Sequence, residues 1–578
     1  MEKHQPRTGK SANPPRILAL VLALAAFLIV AFVALPAVRS GNRIPTPRPG
    51  AMIPDFTVPL AKVRKPLPYR IISFHRGRAD KNLIKLAANL GFNGVQFQIE
   101  GSNIRGLMDF AARDASEHLV DYCHELGMKV TVWVHEFSDL PGPWMPEYLG
   151  PETADNEKLW SYLDERYEQI LSSIVPNVDG LVLTVVETQV RATDPAVMRR
   201  LVALLSAKCA AHKKSLIVRT FVWYPDEFEN VMAAIKSLPE DTVIMSKVVP
   251  QDWQMRGINA PEIGNVGGRA QIVEYDACGE YFLKDALANC MVDLLKKQFD
   301  YGLSKNVQGI CVRADRDDAS VLWEPTEVNL WTLGLLAGGV TDKAEEVWSR
   351  WATYRYGAAA APGVIRALQP TEQVVAELLS VGPFTFGDTR RSPALPDDED
   401  IFLTNWQNWR WDQSLLPEYY KAAEGDAAFT EAVGKQKEAA MKLADECLAN
   451  LELVREKLPE VEYEILRTKL LTNKAQLAVR GPMVMATLEY LAMRRTFDDV
   501  REQALSAAMK ANIEKVRQVA DSLDEEWPEE VWHLGKKWCV GQPEDLDREQ
   551  LYRWAYDAEL CREGRHFLLV PGRLRGPE

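Results

Sequence analysis

The sequence predicts an α/β fold: a (β/α)8 TIM barrel followed by an α-helical C-terminal domain, with an N-terminal transmembrane anchor ahead of it. Three observations carry this. Eight short apolar runs recur between residues 69 and 357, each followed by polar residues and then a helix-like segment. Beyond Gly357 the texture becomes helical throughout. A long apolar run with basic residues before it stands near the N-terminus. The 578 residues are 47% hydrophobic and 26% charged, ordinary for a globular chain with apolar mass enough for a large core.

Taken in order, Lys3, Arg7, Lys10 and Arg16 precede the apolar run from Ile17 to Val38. About 20 apolar residues suffice to cross a bilayer as a helix. The run exceeds the h-region of a cleaved signal peptide, and Leu35 spoils the small-x-small cleavage pattern before Ala37. The expectation is a cytoplasmic N-terminus over 1–16, a signal anchor over 17–38, and the rest of the chain on the periplasmic or extracellular side. Cleavage, and hence secretion, is the competing reading. Residues 39–68 are rich in Pro and basic residues without periodicity, which reads as a linker.

The barrel is expected over 69–357. Its strands are read at Arg70–Phe74, Gly94–Ile99, Lys129–Val134, Gly180–Val186, Leu216–Val222, Thr242–Val248, Ala270–Tyr275 and Gln308–Val312. Near-continuous apolar runs are what parallel strands buried on both faces show. Leu90-Gly91 and Leu126-Gly127 read as helix C-caps feeding the next strand. An open doubly wound sheet is the alternative, but no GxGxxG or GxxxxGK[ST] loop follows any strand. Over 358–578, Phe429, Val433, Ala440, Leu443, Cys447, Leu451, Val454 and Leu458 recur at helical spacing until Pro459. Val461–Arg480 and Asp498–Leu523 read as further amphipathic helices. These are expected to pack against the barrel or against a second copy of the chain, the latter giving a homodimer.

Charge and cysteines exclude other classes. The balance of 68 basic against 81 acidic residues gives −13, which argues against nucleic acid as a partner. The eight cysteines form no CxxC pair and no zinc spacing, so no metal is expected. Most read as small buried hydrophobes, with a Cys539–Cys561 pair open to oxidation outside the cytoplasm.

A barrel carries its chemistry at the C-terminal ends of its strands. Those positions offer His75, Arg76, Gln98, Glu100, His135, Glu136, Asp139, Glu187, Arg219, Lys247, Asp252, Glu274, Asp276, Glu280, Arg313, Asp315 and Arg316. Trp133, Trp223 and Trp253 stand among them. Hydrolysis of a glycoside needs one protonated carboxyl for the leaving oxygen and a second carboxylate to attack or to activate water. Neighbouring carboxylates split their pKa values and so can divide those roles. A merely solvated charged rim is the bland competitor.

The segment from Glu187 to Trp331 resembles the catalytic barrel of the family 67 glycoside hydrolases, the α-glucuronidases. The resemblance rests on Asp179-Gly180-Leu181 through Glu187, on Val218-Arg219-Thr220-Phe221-Val222-Trp223, on Lys247-Val248-Val249-Pro250-Gln251-Asp252-Trp253-Gln254, and on Glu280-Tyr281. Asp315-Arg316 and Val328-Asn329-Leu330-Trp331 extend it. It implies Glu187 as general acid, with Asp252 and Glu280 holding and deprotonating the attacking water. It implies Arg219 and Lys247 as cations for a uronate carboxylate; Trp223 and Trp253 are expected to stack on the sugar from their place at the strand ends. Inversion implies acid and base about 6.5–9.5 Å apart. No cofactor is implied. Leu183 stands where the family has a second lysine, which leaves room for another sugar; in place of the family's N-terminal domain stand the expected anchor and linker. The expected function is an exo-acting, inverting glycoside hydrolase on a carbohydrate side group. A catalytically silent glycan-binding barrel is the alternative.

Overall fold

Eight parallel strands form a closed barrel in which each is hydrogen-bonded to the next and the last to the first. They are β1 (Tyr69–His75), β2 (Gly94–Gln98), β3 (Lys129–His135), β4 (Gly180–Thr184), β5 (Ser215–Arg219), β6 (Val243–Lys247), β7 (Gln271–Asp276) and β8 (Gly309–Arg313). The computed structural model describes residues 61–75, 81–98, 104–135, 149–184, 194–222, 225–250, 253–280, 286–316, 319–385, 411–523 and 548–563. The expected anchor at 17–38 lies outside them. Among the described residues no helix is long and apolar enough to cross a membrane.

Around the strands run α1 (Lys81–Asn89), α2 (Ile104–Glu117), α3 (Leu119–Glu125), α4 (Glu157–Gln169), α5 (Pro195–Ala211), α6 (Pro225–Lys236), α7 (Val292–Ser304) and α8 (Glu327–Ala337). Asn156 caps α4, and Asp194 caps α5 with Pro195 at its first position, so the crossovers start where side chains supply the missing acceptors. One crossover differs from the eight-fold expectation. Between β6 and β7 no helix forms among the described residues. Pro250, Gly257, Pro261, Gly264, Gly267 and Gly268 crowd that stretch, and four of its glycines have positive φ.

The linker expectation also needs correcting at its end. Residues 61–68 run against the barrel, with Val63 N donating to Gly339 O at 2.7 Å and Leu67 N to Ala337 O at 2.9 Å. Gly339 has φ 70° and leaves room for Arg64 O, which a Cβ would meet at 2.3 Å.

After the barrel come α9 (Ala344–Leu368), broken by the non-helical Gly357, then α10 (Thr371–Leu378). They are followed by α11 (Leu416–Glu424), α12 (Ala427–Glu452), α13 (Glu460–Arg495), α14 (Asp499–Ser522) and α15 (Arg548–Arg562). Cys447, Leu451, Tyr463, Leu466 and Leu470 share one continuous core with the outer faces of the barrel strands. The helical region therefore packs on the barrel. α13 continues fifteen residues past Arg480, through Gly481 and Pro482. Proline removes one helical hydrogen bond, but Met483, Val484, Leu488 and Leu491 are buried beyond it and carry the helix past the breaker.

Side chains alternate strictly. Phe74, Val95, Phe97, Val132, Leu181, Leu183 and Val218 face the helices. Ile71, Trp133, Val182, Ile217, Met245, Ile272 and Cys311 make an apolar floor within the lumen. Gly309 opens β8 between its two neighbours, where a Cβ would meet Tyr69 Cβ at 2.4 Å and Tyr69 O at 2.8 Å. Gly309→Ala is therefore expected to cost about 1–3 kcal/mol of stability by overpacking the seam that closes the barrel, read from urea denaturation midpoints.

Candidate functional site

Two residues beyond the apolar floor the lumen turns polar. Ser73, Gln96, Thr184, Arg219, Lys247, Glu274 and Arg313 all occupy this storey, and all are buried. The step of two along each strand puts them on the same inward face as the floor. Gln96 and Gln98 each donate from Nε2 to Ser73 Oγ, at 3.0 and 2.8 Å. Trp133 Nε1 donates to Thr184 Oγ1.

On the β5–β8 side the storey is an ion network. Arg219 Nε donates to Glu274 Oε2 at 2.7 Å, with both side chains within 1% of complete burial. Arg313 Nη2 donates to Glu274 Oε1 at 3.3 Å, and its Nη1 pairs with Glu280 Oε2. Arg316 Nε lies 3.1 Å from Glu280 Oε1, and Trp253 Nε1 donates to Glu280 Oε2 at 3.0 Å. Aromatic rings separate the cations. The Arg219 guanidinium lies 4.5 Å from the Trp133 ring centre and 4.6 Å from Phe221. The Lys247 ammonium lies 4.0 Å from Phe221 and 4.6 Å from Trp253. Such desolvated cation–π contacts are worth up to about 2 kcal/mol each. Phe221 holds φ 38°, a left-handed conformation rare for a bulky side chain and most often met at functional sites.

The carboxyls of this cluster are driven apart. Burial alone would raise Glu280, but Arg313, Arg316 and Lys247 overcome it and hold the group well below the ordinary carboxylate range. Glu274 is likewise depressed against its burial by Arg219, Arg313 and Lys247. Asp276 goes the other way, up to about 6, through burial first and the nearby Glu280 second. Its carboxylate accepts from Cys278 N and Gly279 N at 3.1 Å and from Glu280 N at 2.7 Å. This tight turn presents Glu280 to the two arginines.

The helical region braces the same loops. Arg256, three residues past Trp253, donates to Gly382 O and Glu377 Oε1, each at 2.5 Å. Lys469 of α13 pairs with Glu324 at 3.2 Å, and Arg355 stacks on Trp323, whose φ is 69°.

Of the residues picked from sequence, the structure brings Arg219, Lys247, Trp253 and Glu280 together at the C-terminal mouth. Glu187, Trp223 and Asp252 lie outside the described residues, as do Arg76, Glu100, Glu136, Asp139 and the side chain of His135. Leu183 faces the outer helices, so it is no lumen position, and the absence of a lysine there says nothing about the sugar; the inward neighbours are Val182 and Thr184. Glu274, Arg313 and Phe221 carry the network and were not assigned a role from sequence. Strand register could have found the first two, since Lys247 pairs with Glu274 and Asp276 with Arg313. Among the described residues no group of His, Cys, Asp and Glu could hold a metal ion. The cysteines described at 123, 209, 278, 290, 311, 447 and 561 are buried; Cys539 lies outside the described residues.

No protein-family model matches the chain, and no curated protein sequence matches it. Solved structures do. A GH138 enzyme targeting pectin rhamnogalacturonan II superposes with a TM-score of 0.60 at 11% identity, over 87% of this chain and 68% of that one. A GH115 4-O-methyl-α-glucuronidase with specificity for decorated arabinogalactans reaches 0.45 at 12% identity, over 82% and 60%. A family 20 β-N-acetylglucosaminidase reaches 0.31 at 13% identity, over 46% and 70%. The first of these establishes a fold shared with a glycoside hydrolase; it does not show membership of family 67.

Glu274 and Glu280, both depressed, contribute stability that is present above their ordinary value of 4.5 and is lost as pH falls through their lower folded values. Arg313→Met strips both of their shared cation. The expected loss is roughly 3–5 kcal/mol at pH 7. It should shrink below about pH 4.5, where the stranded carboxyls protonate. Urea denaturation across pH 2–8 reads both quantities.

Proposed function

We propose that this chain is a glycoside hydrolase that removes a terminal acidic sugar of the glucuronate class from a carbohydrate side group, by single displacement with inversion. The observation that supports it most is Glu280, fixed as an anion by Arg313, Arg316 and the Trp253 N–H at the mouth of a closed barrel, with Lys247 beside it. A carboxylate held this low is a poor proton acceptor and a good hydrogen-bond acceptor. It suits orienting the attacking water, while Asp252 takes the proton and Glu187 protonates the leaving oxygen. Lys247 offers its charge to a uronate from between two rings, with Arg219 behind it, and Trp223 and Trp253 flank the sugar. No cofactor takes part in these steps. The GH138 enzyme, similar in fold, targets a pectic polysaccharide, which fits a carbohydrate substrate. With the N-terminal run acting as an anchor, the barrel works outside the cytoplasm.

A second reading is a barrel that binds glycans without turnover. Its support is that both oxygens of Glu280 are already engaged, and that Glu274 is saturated by two arginines.

The test incubates the full-length chain with reduced-end oligosaccharides, including glucuronoxylan fragments and neutral controls. Products are followed by mass and by NMR of the anomeric proton. Release of a uronate with inverted configuration is expected. Glu187→Ala and Asp252→Ala should each lower kcat by at least about 100-fold while sparing binding, the range lost with a general acid or base. Retained configuration would remove the single-displacement mechanism, and binding without turnover would leave the second reading.

A further inference from the structure

The turn that carries Glu280 follows β7, and residues 286–291 lead into α7, so residues 277–280 and 286–291 are the two described ends of the span between them. A single side chain grips both ends of that span. Asn329, on α8, is fully buried within a helix whose every residue is buried. Its Nδ2 donates to Ala277 O at 3.0 Å and to Asn289 O at 2.9 Å, while its Oδ1 accepts from Met291 N at 2.7 Å. Two donations and one acceptance leave only one orientation of the amide. A carboxamide on a fully buried helix is unfavourable unless its hydrogen bonds are made. Here all of them go to the backbone of one loop.

Ala277 lies three residues before Glu280. From the other side of the same turn, Asp276 accepts the N–H groups of residues 278, 279 and 280. The turn is thus held by its carbonyl from α8 and by its N–H groups from β7. The far end has separate supports. Asn473 of α13 exchanges two hydrogen bonds with the backbone of Ala288, at 3.1 and 2.9 Å, and Cys290 N donates to Thr371 Oγ1 at 3.3 Å.

We propose that Asn329 is a positioning residue for the reaction, holding the Ala277–Glu280 turn so that the Glu280 carboxylate stays seated between Arg313 and Arg316. This rests on the glycosidase reading for its catalytic consequence, though not for its structural one. Asn329 is fully buried behind the turn and acts through it.

The test uses the full-length chain. Asn329→Asp keeps the acceptor for Met291 N and removes both donations. Asn329→Ser is a smaller change that shortens the reach to the loop. Asn473→Ala releases only the far end and serves as the contrast. Amide hydrogen exchange at residues 278–280 is expected to quicken by at least about 10-fold in both Asn329 variants, as local opening becomes easier, and to stay near wild type in Asn473→Ala. With the substrate found in the panel above, kcat should fall by about 10- to 100-fold in Asn329→Asp while KM stays within about 3-fold, the signature of a misplaced group rather than a lost binding contact.

Unchanged exchange at 278–280 would overturn the proposal. So would exchange that quickens uniformly over the barrel, or a loss confined to KM. Failure of both Asn329 variants to fold would make Asn329 a determinant of the fold and overturn it as well. If the wild-type chain turns over nothing, the glycosidase reading falls, while the exchange measurement alone still decides whether Asn329 holds the turn.

Discussion

The lumen is organised by one guanidinium. Arg313 reaches Glu274 with one nitrogen and Glu280 with another, so a strand residue and a loop residue share one cation. Two buried carboxylates at such separation would repel strongly in a medium this poor in water. Arg219 secures the far side of Glu274 and Arg316 the far side of Glu280. The arrangement is a chain of alternating charge that crosses the barrel from β5 to the rim. Trp133, Phe221 and Trp253 line this chain, keep water from it and so strengthen every link. Removing any member leaves an uncompensated charge, so the network specifies a single arrangement of the mouth.

Beneath it, the apolar floor supplies rigidity. Ile71, Trp133, Val182, Ile217, Met245, Ile272 and Cys311 fill the lumen from seven strands, leaving the charged storey little freedom to settle lower. Above it, the helical region acts on the loops that bear Trp253, Glu280 and Arg316. Arg256, Lys469, Arg355 and Asn473 each tie a barrel loop to an element later in the chain. The site is therefore built from three layers: floor, ion chain and braces.

The strands were legible because parallel barrel strands must be apolar on both faces, and each observed strand lies within a few residues of its predicted run. Parity along a strand was harder to read. Leu183 was compared with a lysine on linear spacing, whereas alternation puts it outside with Leu181. Breakers misled in both directions. Pro482 did not end α13, because burial on either side outweighed one missing hydrogen bond. The glycines and prolines between β6 and β7 did prevent a helix, since nothing apolar and periodic opposed them. Arg219, Lys247 and Glu280 were picked as strand-end residues, with their roles implied by the resemblance to a known family. Phe221 was not, because only the backbone shows its left-handed φ. Asn329 stood within a recognised stretch, yet its task depends on three backbone groups that no local pattern reveals.

The bonds between Asn473 and Ala288 join residues 185 positions apart. During synthesis the eight strands can all have emerged, and the barrel can close, before α13 exists to make that contact. The outer edge of the site must then wait for a segment made some 160 residues after β8, as sequence numbering gives it. Completion of the mouth is thus governed by the arrival of distant helices, and a nascent chain halted before α13 would own an unfinished rim.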